Sequence, residues 1–470
     1  MNSTFARKLI TFGLLVLALG PSSSASAQFP GNTTVKNLSG FGQPLDAIQA
    51  AAAVGTNDDM QTFADGQLEF ISVDSIPELG PLFNSRSCGA CHFQPSVGGG
   101  GEFINEVRVR NNTRPGPVHI FATDNVLRAG PQRQGSATIF PFGLESTPIG
   151  CQVTSPKCIR SACQKREAKE TTFRVHLPIC DPTSASFAHG KNCTGERQST
   201  PLYGFGLVEA VADQAFADLA ATQPAGIRGT VKTVVELGAT RVARFGWKDD
   251  HATLRGFAGD AYLNEVGVTS PDHPTEVSDC ALGRKKFGVT LDAADDPEDA
   301  TDSDGRADID RFADFMRALA PPPALQQSAS AQAGHTLFEN IGCAGCHVES
   351  ITTAADPSSV VPPTTGGVPI SATLNTMLAA QTFHPFSDFL LHDMGSLGDG
   401  ITSGVAGPRM MRTAPLWGLR AKSVLLHDGR AANVAEAIGL HDGQGAAARS
   451  AFQALSASDQ ESVLDFLDTI

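Results

Sequence analysis

The chain has little positive charge and few of the larger aromatic side chains. Its 470 residues include 35 lysines and arginines against 49 aspartates and glutamates, which gives a formal net charge of −14, and only two tryptophans and two tyrosines. A nucleic-acid-binding surface needs a basic stripe that neutralises phosphates, so this balance argues against a polyanionic partner. We therefore expect a small molecule or a soluble protein as the partner.

Long apolar runs are also scarce. The most pronounced one, residues 9–20, follows the basic pair Arg7-Lys8 and precedes the small residues 25–27. This order is typical of a secretory signal, and the run is short for a bilayer span, which argues against an uncleaved anchor. We predict a signal peptide over residues 1–27 and an exported, periplasmic, soluble chain with no membrane span after cleavage.

Ten cysteines in an exported chain require an explanation, because oxidising compartments pair free thiols or use them to hold cofactors. Four belong to two motifs, Cys88-Gly89-Ala90-Cys91-His92 and Cys343-Ala344-Gly345-Cys346-His347. We expect disulfides among the other six, with a connectivity that the sequence does not reveal. Five of them lie within residues 151–193, which we interpret as a stapled insertion. The six are Cys151, Cys158, Cys163, Cys180, Cys193 and Cys280.

The two Cys-x-x-Cys-His motifs predict two covalently bound c-type hemes. Two thiols three positions apart on a helical turn reach the vinyl groups of one heme, and the following histidine presents its imidazole to the iron. A zinc site and a thioredoxin-like redox pair are the alternatives. A zinc site would leave the histidine after each motif without a role, and a thioredoxin-like redox pair would not need a second motif. The predicted attachment residues are Cys88, Cys91, Cys343 and Cys346, with His92 and His347 as iron ligands.

The organisation of the chain predicts a mainly α protein with two cytochrome c-like domains. Leu82-Phe83 and Leu337-Phe338 precede the motifs at equal offsets, which is a weak internal repeat. Residues 309–319 and 463–470 show helical apolar spacing. We place the boundary in the proline-rich linker near residue 325, with domains over residues 28–325 and 326–470.

Finer features of the two domains can also be predicted. The N-terminal domain is enlarged by insertions with short β segments, among which residues 106–110 and 173–177 resemble strands. In the C-terminal helix, Ser458 and Glu461 form a predicted capping box.

Seven stretches resemble the di-heme oxidoreductase family, often labelled thiol oxidoreductases, within the superfamily of bacterial di-heme cytochrome c peroxidases. The resemblance covers nearly the whole chain after the signal, apart from the cysteine-rich insertion. The stretches are FNSRSCGACHFQPSVGGG, PLYGFGLVEA, RFGWKDDHATLRGFAGDAYLNEVG, RFADFMRALAPP, IGCAGCH, LLHDMG and RTAPLWGLRAKSVLLHDGRA.

The resemblance implies one fully ligated iron that relays electrons and one with an open position for peroxide or oxygen. At the C-terminal heme it implies His427 as the distal ligand, ahead of Met394 and the pair Met410-Met411. Other candidates there are Met377, His384, His392 and His441. A glutamate above the open iron can move the proton that O–O cleavage requires.

For the N-terminal heme the resemblance implies three cavity residues. Glu265 falls in the acidic loop that lines the peroxidatic pocket, although the usual proline between Asn264 and the acid is missing. Phe257 falls where some relatives have a polar residue, and Trp247 corresponds to the aromatic that bridges the hemes. A surface glutamate and core aromatics are the alternative interpretation.

The predicted function is peroxide reduction in the periplasm, with electrons passing between the hemes from a small donor, either a cytochrome c or a cupredoxin. The alternatives are an oxygen-activating enzyme of the rubber-oxygenase type and a non-catalytic electron carrier. Calcium is a further candidate cofactor, because the acidic stretch near Asp302 and Asp304 hints at a calcium loop. Ala300 stands at the first ligand position of that loop, which favours a solvated acidic loop.

Overall fold

The computed structural model describes residues 38–53, 58–74, 85–101, 180–183, 193–274 and 301–470, and the backbone of six short strands between residues 104 and 291. The predicted signal peptide, the Leu82-Phe83 pair and most of the cysteine-rich insertion lie outside the described residues. Cys180 is buried, and the disulfides of the insertion stay a prediction.

Helices make up most of the regular structure, as the sequence predicts. Among the described residues no helix is long and apolar enough to cross a membrane. The helices are α1 Asp46–Ala53, α2 Asp58–Ile71, α3 Phe205–Glu209, α4 Asp213–Thr222, α5 Leu254–Ala261, α6 Asp308–Ala318, α7 Ala329–Asn340, α8 Ala372–Leu378, α9 Val434–Gly439, α10 Ala446–Ala454 and α11 Ala457–Leu467.

The strands are short and all their pairings are antiparallel. The largest described sheet has the order β2-β1-β6, and the other strands form two-stranded pairs. The predicted strands at residues 106–110 and 173–177 are confirmed as β1 and β5. The strands are β1 Ile104–Arg110, β2 Val118–Phe121, β3 Ser136–Ile139, β4 Cys151–Gln152, β5 Phe173–His176, β6 Cys193–Gln198, β7 Thr233–Glu236, β8 Ala239–Val242, β9 Thr290–Leu291, β10 Ile351–Thr352, β11 Thr382–Phe383, β12 Leu391–Asp393 and β13 Met410–Arg412.

Each heme motif lies beside a packed pair of helices. In the N-terminal half α2 packs on α6, and Phe70 of α2 contacts Phe312 of α6 with ring centres 6.2 Å apart. In the C-terminal half α7 packs on α11 through Phe338 and Phe466, whose ring centres are 5.4 Å apart. Both predicted amphipathic helices are therefore present as α6 and α11.

The two halves are not separated cleanly at residue 325. The larger hydrophobic core runs from Phe41 to Trp417 and includes residues 351–390 of the C-terminal half. A second core contains only residues from 331 onward, and residues 38–470 form one compact unit. The division into two domains stays a prediction.

The cap of α11 differs from the predicted capping box. Its N-cap is Ser456, whose hydroxyl accepts a hydrogen bond from the Asp459 amide at 3.2 Å. The helix begins two residues earlier than predicted because Ser456 and Asp459 offer the same spacing as Ser458 and Glu461. Ser458 lies inside the helix, so its assignment as the cap is wrong.

A buried ion pair joins the C-terminal end of α6 to Glu209, the last residue of α3. Arg317 is almost fully buried, and its Nε donates to Glu209 Oε2 at 2.7 Å. The other carboxylate oxygen of Glu209 accepts the amide of Leu254 at 2.7 Å. One carboxylate therefore positions two helices that border the N-terminal cavity. Removing one member of such a pair leaves a buried charge without its partner.

The same helix offers an exposed comparison. Arg311 of α6 lies 2.8 Å from Asp302 and 3.3 Å from Asp304, and the Asp302 side chain is 72% exposed. These are the acidic residues considered for calcium, and here they pair with arginine.

We expect Arg317→Met to lower the free energy of unfolding by about 3–5 kcal/mol, because Glu209 loses its buried partner. Arg311→Met should cost about 0–1 kcal/mol, because water screens the exposed pair. Urea unfolding followed by circular dichroism measures both variants. Equal losses in the two would contradict the role assigned to the buried pair.

Candidate active site: two cavities beside the Cys-x-x-Cys-His motifs

The two motifs adopt the same backbone turn. In each, a short 3-10 helix begins at the first cysteine, and the histidine amide donates to that cysteine's carbonyl at 3.0 Å. The turn brings Cys88, Cys91 and His92 to one cavity and Cys343, Cys346 and His347 to another. The sequence prediction that each motif acts as one local unit fits this geometry.

The N-terminal cavity has an empty volume of about 1040 Å³ and opens to solvent. His92 donates from Nδ1 to the Gly99 carbonyl at 3.0 Å, and its ring meets Phe70 edge-on at 5.9 Å. Because this hydrogen bond occupies Nδ1, Nε2 is the ring nitrogen that would bind a metal. Other residues that line the cavity include Arg197, Gln198, Leu202, Trp247, His251, Phe257, Ala258, Asp260, Ala261, Glu265, Phe312 and Met316.

The C-terminal cavity is larger, with an empty volume of about 1650 Å³. His347 donates from Nδ1 to the Phe386 carbonyl at 2.9 Å, which again leaves Nε2 free. The basic groups of Arg412, Lys422 and Arg449 lie on a wall that is otherwise mostly apolar. Such a wall suits a flat apolar ring that carries acidic groups at one edge.

The residues present fit two c-type hemes. Burial lowers the pKa of both His92 and His347 to about 4, so each ring is neutral at pH 7, which is the form that binds a metal. Each neutral ring shares its cavity with two thiols at the spacing that heme attachment uses. The lining of each cavity therefore fits a heme, and the attachment residues stay those predicted from the sequence.

His441 faces His347 across the C-terminal cavity. Their ring centres lie 6.4 Å apart, and His441 donates from Nδ1 to the Ala437 carbonyl at 2.8 Å. Two imidazoles that share one metal ion through bonds of about 2.0–2.1 Å have ring centres roughly 6 Å apart. The pair His347 and His441 thus has the separation of two ligands on one iron.

His427, the ligand implied by the family resemblance, also lines this cavity but is placed differently. Its ring lies edge-on to Trp247, with ring centres 6.1 Å apart, and its Nε2 is 3.9 Å from Asp428. Of the other candidates, His392, Met394 and Met411 line the cavity. His392 is bonded to Asp388 at 2.9 Å. The geometry favours His441 over His427 as the residue opposite His347.

Trp247 lines both cavities. Its Nε1 donates to the Gln198 carbonyl at 2.8 Å, and its own carbonyl accepts the Arg412 amide at 2.9 Å. Trp247 therefore borders both cavities, and the electron-bridging role that the family resemblance implies for it stays a prediction.

Glu265 and Phe257 both line the N-terminal cavity. Phe257 lies on α5 and stacks on Phe245 with ring centres 6.1 Å apart. Glu265 lies on a π-helical turn, Tyr262–Val266, that continues α5, and its carbonyl accepts the Ser85 amide. The structure therefore brings the three predicted cavity residues together around one space.

His251 is a residue of this cavity that sequence reasoning missed. Its Nδ1 lies 3.0 Å from Glu236 and its Nε2 lies 3.3 Å from Asp260. Burial alone would lower its pKa, but the charges and hydrogen bonds of these two carboxylates raise it to about 10. His251 is therefore a cation at neutral pH. No local motif marks it, since Glu236 comes from a separate hairpin.

A family model described as "di-haem oxidoreductase, putative peroxidase" matches residues 181–470. The chain belongs to this family. The match begins inside the cysteine-rich insertion, directly after Cys180, and includes the second Cys-x-x-Cys-His motif and every cavity residue of the C-terminal half. No curated protein sequence matches the chain.

Two solved structures are similar to the chain at a low level. They are hydrazine synthase of Kuenenia stuttgartiensis pressurised with xenon and a MauG-like protein associated with microbial copper homeostasis. Each is 14% identical with a TM-score of 0.25 and covers 57% of this chain, which corresponds to 87% of the first protein and 88% of the second. Likeness at this level carries no argument about the site.

We expect the mature protein to carry two hemes per chain that resist acid-acetone extraction, because thioether links are covalent. The pyridine hemochrome assay counts them. The double variant Cys343→Ala/Cys346→Ala should retain one heme per chain, and so should Cys88→Ala/Cys91→Ala. Two hemes in either double variant, or full extraction of colour from the wild type, would contradict the assignment.

Proposed function

We propose that this family member is a periplasmic di-heme c-type peroxidase that reduces hydrogen peroxide at the N-terminal heme and receives electrons through the C-terminal heme. The observation that carries the proposal is the difference between the two cavities. One places a second imidazole opposite its heme ligand, and the other places proton-carrying side chains around an open space.

The contrast between the histidines supports an open N-terminal site. In the C-terminal cavity, His441 has one nitrogen on a carbonyl and the other free for a metal. In the N-terminal cavity, His251 is bonded to a carboxylate at each ring nitrogen. To ligate an iron, His251 would have to abandon one of two charge-assisted contacts. A small molecule can therefore take the remaining coordination position.

The reaction that suits these groups is H2O2 + 2 e⁻ + 2 H⁺ → 2 H2O. A heme held by Cys88, Cys91 and His92 would supply the redox-active iron and pass electrons. Glu265 would move a proton from one oxygen of the peroxide to the other, so that water can leave as the O–O bond breaks. Phe257 and the apolar wall restrict water at the same place.

The position of Trp247, which lines both cavities, supports a path for electrons between them. We infer that a small periplasmic donor, a cytochrome c or a cupredoxin, reduces the C-terminal heme, and that Trp247 connects this heme to the N-terminal one. The predicted signal over residues 1–27 supports the periplasm as the compartment.

We expect His441→Ala to change the C-terminal heme from low spin to high spin, because the iron loses a strong-field nitrogen ligand. His427→Ala is the matched control and should leave that heme low spin. Electron spin resonance and visible spectra of the oxidised protein distinguish the two. The opposite pattern would return the assignment to His427, and no change in either variant would favour Met394.

We expect Glu265→Gln to lower the rate of peroxide turnover by about 10²- to 10⁴-fold, because a positioned general acid-base is lost. Heme content and spin state should not change. Glu461→Gln, on the exposed face of α11, serves as the control and should turn over normally. Unaltered kinetics in Glu265→Gln would remove the acid-base role from this residue.

The reactions of the wild-type protein with peroxide and with oxygen distinguish this function from its alternatives. Consumption of peroxide with two electrons per molecule supports the peroxidase. Consumption of oxygen without reaction toward peroxide would favour an oxygenase of the rubber-oxygenase type. Failure of both small molecules to react, with two low-spin irons, would leave an electron carrier.

A further inference from the structure

We propose that Ala261 is the residue that keeps the N-terminal iron site open, because it occupies in one copy of a duplicated structural unit the position that His441 occupies in the other. The inference rests on the proposed function, since it concerns the coordination of the reactive heme. The presence of Ala261 where the other copy has His441 is then what makes the coordination of the two iron sites different.

The two copies begin with the same closed turn. Phe245 and His251 form an isolated antiparallel β-bridge. Leu425 and Ala431 form another, and each of them lies 180 residues further along the chain. In each pair the first amide donates to the second carbonyl at 2.9 Å, and the reverse hydrogen bond is longer, at 3.4 Å in one pair and 3.5 Å in the other.

The backbone within these turns corresponds residue by residue. Gly246 and Leu426 both have positive φ, at 80° and 71°, and so do Asp249 and Gly429, at 50° and 66°. Positive φ is unusual for leucine and aspartate, which lack the freedom of glycine. Finding it at equal positions in both turns indicates a shared backbone path rather than a chance similarity.

A helix follows each turn at the same offset. Thr253 caps α5 by accepting the Gly256 amide, and Asn433 caps α9 by accepting the Glu436 amide. The first helical residues, Leu254 and Val434, are also 180 positions apart. The offset therefore holds from the turn through the N-terminal cap into the helix.

Ala261 is the last residue of α5, whereas α9 ends at Gly439, and continuing the same offset two residues past that end matches Ala261 with His441. Each lines the cavity of its own half. In the C-terminal half this position carries the imidazole that faces His347, and in the N-terminal half it carries a methyl group. A methyl group offers the iron no ligand, so this single difference separates a closed site from an open one.

Other equivalent positions of the two copies differ in whether their side chains can exchange protons. Three proton-carrying residues of the N-terminal cavity, His251, Asp260 and Glu265, have counterparts at the same offset that cannot exchange protons. These counterparts are Ala431, Leu440 and Gly445. At these positions the N-terminal copy has acid-base groups and the C-terminal copy has none, whereas at the position of Ala261 the C-terminal copy has an imidazole. The proposal accounts for both differences through one duplication.

The test is to supply the missing ligand with Ala261→His in the full-length holoprotein. We expect the high-spin signal of the N-terminal heme to be replaced by a low-spin one at unchanged heme content. The dissociation constant for cyanide at this heme should rise about 10- to 100-fold, because an internal ligand leaves about 1–10% of the iron competent to bind. Both readouts are independent of turnover.

Ala261→Leu is the matched control, since it adds bulk without a nitrogen, and its N-terminal heme should stay high spin. If the histidine variant fails to fold, Ala261→Met offers a more flexible thioether ligand at the same position and should give the low-spin signal. A high-spin N-terminal heme in all three variants, with a wild type that binds cyanide and reduces peroxide, overturns this inference and leaves the proposed function intact. A low-spin N-terminal heme in the wild type overturns both.

Discussion

The centre of the molecule depends on the main chain of one residue, Gln198 at the end of β6. Its carbonyl accepts the Trp247 indole N–H at 2.8 Å, and its amide donates to the His427 carbonyl at 2.7 Å. Trp247 and His427 are equivalent positions of the duplicated unit, and their rings meet edge-on. A single strand end therefore ties together the two copies at the point where the two cavities meet. The indole of Trp247, which lines both cavities, is held in place by this strand end.

Buried charges reinforce this junction. Asp399 lies 2.7 Å from Arg197 and 2.8 Å from Lys248, the neighbours of Gln198 and Trp247 in the chain, and all three side chains are almost inaccessible. Lys248 also donates to the carbonyls of Gly407 and Met410. Buried ions are costly, and they persist only when such hydrogen bonds satisfy them. Here they hold the segments around Gln198 and Trp247 in one geometry, which fixes the position of the indole.

Features that depend on residues close together in the chain could be predicted from the sequence, whereas contacts between distant segments could not. The heme motifs, the helices α6 and α11 and the strands β1 and β5 depend on short-range spacing, and each is found where the pattern indicates. The cap at Ser456 shows the limit of such patterns, because two overlapping serine and acid pairs compete and packing selects one. His441 meets His347 only through the path of the whole C-terminal half, and no spacing rule connects residues so far apart. The resemblance that implies His427 rests on a segment that the structure shows to be the counterpart of the Trp247 turn.

The duplication escapes sequence comparison for a physical reason. Between residues 245–261 and 425–441 the identical positions are Ala252 with Ala432 and Gly259 with Gly439. What the copies share is backbone geometry, namely a closed turn with two positive φ values and a side-chain cap, and many sequences satisfy these requirements. The side chains that face each cavity were free to diverge. In the C-terminal copy the result is an imidazole opposite His347. In the N-terminal copy, Glu236 and Asp260 hold His251 at both ring nitrogens, and the methyl group of Ala261 leaves its position in the cavity without a metal-binding nitrogen.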